Sequence, residues 1–300
     1  MQPISIIKGS IQLAGLLFQP NTTAGQFPGV VVVHPGGGVK EQAASVYAER
    51  LSHEGYVTIA FDAFHQGDSG GLPHFLEDPN SRVTDASAVV DYLERLDYVD
   101  SERIVIVGIC AGGGYAVAAA TADHRIRAAA IVSAVNIGDS TRLGWYGNET
   151  AASKLDLLDQ VAERIRNESR GALPGTINYV PQVGDTSAPL DLQDAADYYL
   201  TPRVQHLNSQ NIMLDRSMPL LLNFDAYSFA DEYFTQPLLI IAGEQAESRW
   251  NSERIADSLE GKNNRVRKVI VPGGRHMDFY DIEDYVGPAV QQIAEFFQQI

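Results

Sequence analysis

The stretch Ile104-Val105-Ile106-Val107-Gly108-Ile109-Cys110-Ala111-Gly112-Gly113-Gly114, followed by Tyr115-Ala116-Val117-Ala118-Ala119-Ala120, constrains the fold more than any other part of the chain. A β-branched apolar run passes without a polar break into a glycine-rich corner, and the corner into an alanine-rich segment suited to a helix. The pattern is Gly-x-nucleophile-x-Gly, with cysteine in the usual place of serine. The glycines have a steric reason. A nucleophile on a strained strand-to-helix turn leaves no room for side chains two residues to either side. Cys110 also stands at a helix N-terminus, where free N–H groups and the helix dipole favour thiolate over thiol.

Similar short apolar runs recur between longer amphipathic stretches, the pattern of a parallel sheet covered by helices. They are Val30 to Val33, Val57 to Phe61, Ile104 to Val107, Ala128 to Val132, Leu238 to Ile241 and Val269 to Val271. Ile4 to Ile7 and Ile11 to Phe18 read as a leading hairpin turning at Lys8-Gly9-Ser10. Helical spacing of apolar residues predicts helices near 40–54, 82–97, 111–122, 250–260 and 283–299. The alternation stops between about 139 and 229, where the chain turns polar and rich in aromatic residues, Asn, Gln and Pro. A structureless loop of that length is foreign to a compact domain, so residues 139–229 should form an inserted lid with helices of its own, and 1–138 with 230–300 the core.

Three hundred residues, 45% hydrophobic and 20% charged, can bury an ample core without staples. A formal charge of −16 repels polyanions, which argues against nucleic acid and anionic membrane as partners. The start of the chain lacks a basic segment followed by an apolar one, and no run approaches bilayer-spanning length, which predicts a cytoplasmic protein. A lone cysteine forms no internal disulfide and builds no thiolate cluster. With no CxxC, HExxH or phosphate-loop pattern, neither a metal nor a cofactor is expected.

A cysteine nucleophile needs an imidazole base held by a carboxylate, in the chain order nucleophile, acid, histidine. His276 follows Pro272-Gly273-Gly274-Arg275 just past a strand, and Glu247 lies in Gly243-Glu244-Gln245-Ala246-Glu247 just past another. Both are carboxyl ends of strands, where open α/β sheets place reactive groups. Glu244, Asp225 and Asp278 are alternatives for the acid. An oxyanion hole requires two N–H donors: that of Ala111 and one from His34-Pro35-Gly36-Gly37-Gly38, at Gly36 or Gly37. His34 reads as a brace for that loop. In Asp62 to Gly70, Asp62 braces the turn, while His65 is a candidate to face the substrate.

These residues resemble the α/β-hydrolases related to dienelactone hydrolase, and within them the family of fungal polyketide transferases and bacterial hydrolases. The resemblance lies in His34 to Gln42, Gly108 to Tyr115, Tyr198-Tyr199-Leu200-Thr201-Pro202-Arg203, Pro237 to Gly243, and Pro272-Gly273 with His276 and Asp278. It implies an α/β-hydrolase fold with a mostly parallel, doubly wound sheet, Cys110 as nucleophile, His276 as base and the position of Glu247 as acid. Members of the family carry aspartate at that last position, so the longer glutamate must approach the imidazole differently. The expected activity is hydrolysis of an ester, thioester or lactone through a cysteine acyl-enzyme, with acyl transfer to an alcohol or amine as the alternative. A ligand-binding homologue without turnover is a more distant reading, and a redox sensor lacks a second cysteine to resolve it. The expected partner is a small acyl substrate, with room for a homodimer. Trp145, Tyr146, Tyr198, Tyr199 and Phe224 of the lid are candidates to line an apolar substrate pocket.

Overall fold

The computed structural model describes residues 1–21 and 25–300. Its strands are β1 (Gln2–Lys8), β2 (Ile11–Phe18), β3 (Phe27–Val33), β4 (Val57–Phe61), β5 (Val99–Ile109), β6 (Ile126–Val132), β7 (Thr176–Ile177), β8 (Met213–Leu214), β9 (Leu238–Gly243) and β10 (Val266–Val271). Eight of them form one sheet in the order β1-β2-β4-β3-β5-β6-β9-β10. β1 and β2 are an antiparallel hairpin turning at Gly9-Ser10, β2 runs antiparallel to β4, and the pairs from β4 to β10 are parallel.

The apolar runs become strands because side chains alternate between two covered faces. In β3, Val31 and Val33 join the core shared with helices Pro79–Leu93, Ala111–Ala122 and Trp250–Leu259. Val30 and Val32 join the opposite core, shared with helices Ser45–His53 and Glu283–Phe297. Boundaries differ from the sequence pattern where polar residues form structure. β5 begins at Val99, because Val99 and Asp100 pair with Phe27 and Pro28 ahead of a register shift. The second helix begins at Pro79, because the Asp78 side chain accepts the Asn80 N–H at 3.0 Å and proline suits a first helical position.

Between β6 and β9 the chain leaves the sheet and builds helices Ile137–Leu143, Leu155–Ser169, Leu190–Leu200 and Ser217–Asn223, with the small β7-β8 ladder. This cap covers the carboxyl edge of the sheet. There β3 lies between β4 and β5, so the chain leaves β3 toward one face and β5 toward the other. The two connections diverge and leave a crevice, the usual binding position in such sheets. Among the described residues, no helix is long and apolar enough to cross a membrane.

The layered core makes a simple expectation. Ile131 is fully buried and Ile7 is 54% exposed. Ile131→Ala should lower the unfolding free energy by about 3 kcal/mol, and Ile7→Ala should stay within about 0.5 kcal/mol of the parent. Urea denaturation compares them, and equal losses would contradict this burial pattern.

Candidate active site

Cys110 sits at φ 55°, ψ −124° between β5 and helix Ala111–Ala122, a conformation worth about 1–3 kcal/mol of local strain. The surroundings hold it there. Its N–H donates to the Val132 carbonyl at 3.0 Å, and its own carbonyl accepts from the Gly113 and Val135 N–H groups, each at 2.8 Å. A Cβ on Gly108 would lie 2.1 Å from the Gly112 carbonyl oxygen, and one on Gly112 would lie 2.2 Å from that of Val33. No L side chain fits at either position, so the elbow requires both glycines.

His276 follows the turn after β10 and is buried. The following helix, Asp278–Asp281, carries Tyr280, whose hydroxyl lies 3.2 Å from His276 Nε2. Cys110, His276 and Tyr280 line one cavity. Burial works most strongly against the Cys110 thiolate, and the adjacent His276 imidazolium works in its favour. Hydrogen bonds from His276, the Tyr280 hydroxyl and the Ala111 N–H add to that effect and bring the thiol below its ordinary pKa. Burial likewise opposes the imidazolium, yet the Cys110 thiolate, with Asp191 behind it, raises His276 above its usual 6.5. The two groups therefore favour a thiolate–imidazolium pair.

The carboxylate expected beside His276 is not Glu247. His276 Nδ1 lies 2.6 Å from Ser248 Oγ. Glu247 turns outward, where its carboxylate accepts the Asp191 N–H at 2.9 Å and the Tyr146 hydroxyl at 3.3 Å. The backbone past β9 brings the shorter neighbouring side chain to the imidazole instead. The alternatives are occupied elsewhere: Asp225 accepts from Asn136 Nδ2 at 2.7 Å, Glu244 from the Gly273 N–H at 3.1 Å and Asp278 from the Arg275 N–H at 2.8 Å.

Gly36 and Ala111 both border the cavity, and a Cβ on Gly36 would stand 3.6 Å from that of Ala111. Gly37 does not border it. Its φ is 70°, its carbonyl accepts the Ser209 hydroxyl at 2.7 Å, and the Tyr179 ring leaves no room for a side chain there. Tyr179 is tied down in turn, its hydroxyl donating to Glu77 at 2.8 Å. Glu77 also accepts the Tyr115 hydroxyl at 2.6 Å and lies 3.4 Å from buried Arg82. Arg82 Nη1 donates to His34 Nε2 at 2.7 Å and Nη2 to the His34 carbonyl at 2.7 Å. His34 is thus a brace. Burial first and Arg82 second hold its pKa well below 6.5, and the neutral ring also accepts the Ala63 N–H at 3.2 Å. Asp62 joins the two rim loops through Lys40 Nζ at 2.7 Å and the Lys40 N–H at 2.8 Å.

The cavity encloses about 200 Å³. Trp145 and Tyr199 border it as expected; Tyr146, Tyr198, His65 and Phe224 do not. Tyr146 is 52% exposed beside Glu247. Tyr198 faces the core against Tyr199 and Tyr280, since adjacent positions on a helix point about 100° apart. His65 packs on Phe64 with ring centres 3.8 Å apart, and Phe224 packs on Tyr115. Residues missed from the sequence include Ile137, Met213, Met218 and Leu221, which make the wall apolar, and Ser248, Asp191 and Tyr280. Tyr280, four residues after His276, could have been found from the spacing of one helical turn. Among the described residues, no group of three His, Cys, Asp or Glu is placed to hold a metal ion.

Comparison with known proteins places this geometry among relatives. The profile of the Dienelactone hydrolase family matches residues 13–141. Uncharacterized protein YcjY of Escherichia coli is 41% identical over 274 residues, 91% of this chain and 89% of that one. The crystal structure of hypothetical protein PA2218 from Pseudomonas aeruginosa superposes with a TM-score of 0.91 at 30% identity, covering 99% of this chain and 92% of that one. A Thiohydrolase of Eupenicillium brefeldianum is 34% identical over 117 residues, 39% of this chain and 37% of its own.

The ion pair has a direct readout. At pH 6 Cys110 should react with iodoacetamide faster than a free thiol of ordinary pKa, about 8.5, because more of it is thiolate. His276→Gln should remove that advantage. Equal rates for the parent protein and glutathione at pH 6 would exclude the pair.

Proposed function

Because the chain belongs to the dienelactone hydrolase family and is a hydrolase of the α/β-hydrolase type, we propose that it cleaves esters or thioesters of neutral, apolar acyl groups through a Cys110 acyl-enzyme. One observation carries the reading: a half-buried thiol on a strained elbow shares one apolar cavity with a buried imidazole and the Gly36 backbone. Among the described residues the cavity wall contains no lysine or arginine, so a carboxylate on the acyl group would lose its hydration there without gaining a lysine or arginine partner. The thiohydrolase relative supports thioesters within the substrate class.

In the proposed reaction the Cys110 thiolate attacks the carbonyl carbon, and the displaced electron pair collects on oxygen, where the Ala111 and Gly36 N–H groups receive it. Collapse expels the alcohol or thiol, which takes its proton from the His276 imidazolium. The acyl group then rests on sulfur as a thioester. Neutral His276 takes a proton from water as that water attacks, and the second collapse releases the acid and restores the thiolate–imidazolium pair. Tyr280, within reach of both Nε2 and sulfur, supplies a hydroxyl that steadies the thiolate between turnovers.

Incubation with p-nitrophenyl esters tests this reading. A burst of nitrophenol should accompany an acyl mass on Cys110, and Cys110→Ala should lower kcat/KM by at least about 1,000-fold. A neutral butyrate ester should exceed the matching hemisuccinate by at least about tenfold. Label on another residue, or preference for the charged acyl group, would refute the assignment. An acylated alcohol formed in place of free acid would move it to acyl transfer. Glu247→Gln should change kcat/KM less than about threefold, in contrast to the roughly 10,000-fold loss seen when a carboxylate bonded directly to a catalytic histidine is made an amide.

A further inference from the structure

His276 has a neutral hydroxyl where a charged partner is normally found, and this leaves its imidazolium in need of an anion. Ser248 Oγ at 2.6 Å from Nδ1 can orient the ring but brings no charge. Once Cys110 is acylated its thiolate is gone, and a buried cation formed during deacylation costs several kcal/mol unless a counter-charge is near.

One carboxylate stands in reach. Asp191, at the start of the cap helix Leu190–Leu200, is 1% exposed. Its Oδ2 accepts the Ser248 N–H and Trp145 Nε1–H, each at 3.2 Å, and its Oδ1 the His276 N–H at 3.4 Å. Its own N–H is the one that Glu247 accepts. Along the same helix Asp194 pairs with Arg275 at 3.0 Å and Asp197 with Arg203 at 3.2 Å. Among the described residues Asp191 forms no ion pair with lysine or arginine. A buried carboxylate held only by neutral N–H donors, on both the serine and the histidine, complements a cation that appears on that histidine.

We propose that Asp191, delivered by the cap rather than by the sheet, is the anion that sustains His276 as base, with Ser248 as the neutral link between them. The inference rests on His276 being the base proposed above. The acid of the triad is then divided: orientation comes from the core loop after β9, and charge from the segment inserted between β6 and β9. Asp191 is a positioning residue, acting through Ser248 and the His276 backbone. Glu247 gains a role as well, anchoring the helix that presents Asp191. The other groups about His276 are Cys110 from the elbow, Tyr280 from the following helix and the Trp145 ring, in T-shaped contact with ring centres 5.3 Å apart. Farther out are the Arg275–Asp194 pair, Asp278 on the Arg275 N–H and Tyr199 against Tyr280.

The test titrates His276 by NMR in the Cys110→Ala protein, which needs no turnover, with and without Asp191→Asn. Asparagine keeps the volume and removes the charge. The imidazolium pKa should fall by about one unit or more, because the cation loses its nearby anion. In the protein that retains Cys110, Asp191→Asn should lower kcat about 10- to 100-fold while KM stays within about threefold, and the pH profile of kcat should move with the histidine. Ser248→Ala, which leaves the cap contacts of Asp191 in place, should produce a comparable loss, and the double variant should lose little more than either single one. Ser248→Ala alone decides the matter if Asp191→Asn does not fold. An unmoved His276 titration, a kcat loss with no change in pH profile, full additivity, or a silent Ser248→Ala would overturn the inference. If the ester assay fails while the titration shifts, the proposed chemistry is wrong and the Asp191 coupling stands; the reverse pattern condemns Asp191 alone.

Discussion

Cys110 is pinned at a positive φ between the buried Ile104 to Ile109 end of β5 and the helix that leaves it, and the close approach of the neighbouring backbones depends on that corner. Its carbonyl holds two N–H groups, one from its own helix and one from the segment after β6. The absence of side chains at 108 and 112 allows the backbones of β3, β5 and the helix to approach as closely as they do. A methyl group at 112 would drive into the Val33 carbonyl and separate β3 from the elbow. Gly36, only three residues beyond Val33, would move with it. The strain stored at Cys110 and the tight packing around it are two parts of one arrangement, because a loose corner would relax.

Around the corner, the buried cations Arg82 and Lys40 meet acceptors or anions. Arg82 is buried yet meets Glu77, the His34 ring and the His34 carbonyl, while Lys40 meets Asp62 and Asp68. These contacts tie the loop after β3 to the loop after β4, and Tyr179 ties it to the cap through Glu77. The Gly36 backbone thus lies between Ala111 on one side and an immobilised aromatic ring on the other. In the proposed reaction a donor held in this way would need no reorganisation when negative charge appears beside it, which is the condition for effective stabilisation of an oxyanion.

The cap does more than enclose a cavity. It brings Trp145 against the edge of His276, Tyr179 over the glycine loop and Asp191 behind the imidazole, all from a segment without a strand in the main sheet. Its remaining contribution to the cavity is mostly methionine and aliphatic surface, adaptable in shape, with Ser140, Thr141, Asn178 and Tyr199 as its polar members. In the proposed reaction the sheet edge supplies the reacting groups, and the side chains that the insertion lays across it shape the pocket.

The strands, the helices that cover both faces of the sheet and the elbow were legible in the sequence because each depends on a local pattern. β-branched runs make strands, helical spacing makes the covering helices, and glycines at fixed offsets make the turn. Cys110, His276, Ala111 and Gly36, which border one cavity, sit at fixed distances from strand ends, so their placement there was legible. Glu247 was misread for the same reason: strand-end counting locates a loop, but it does not say which of two adjacent side chains points inward. Tyr146 and Tyr198 were misread because residues beside true lining positions on a turn or helix point elsewhere. The sequence by itself determined the strands, the corner and the thiol upon it, since these are matters of neighbouring residues and their steric allowance. Only the tertiary structure decided what stands behind the histidine. Ser248 and Asp191 are 57 residues apart in the chain and meet at 3.2 Å, and no local pattern encodes a contact made by folding a cap back over a sheet.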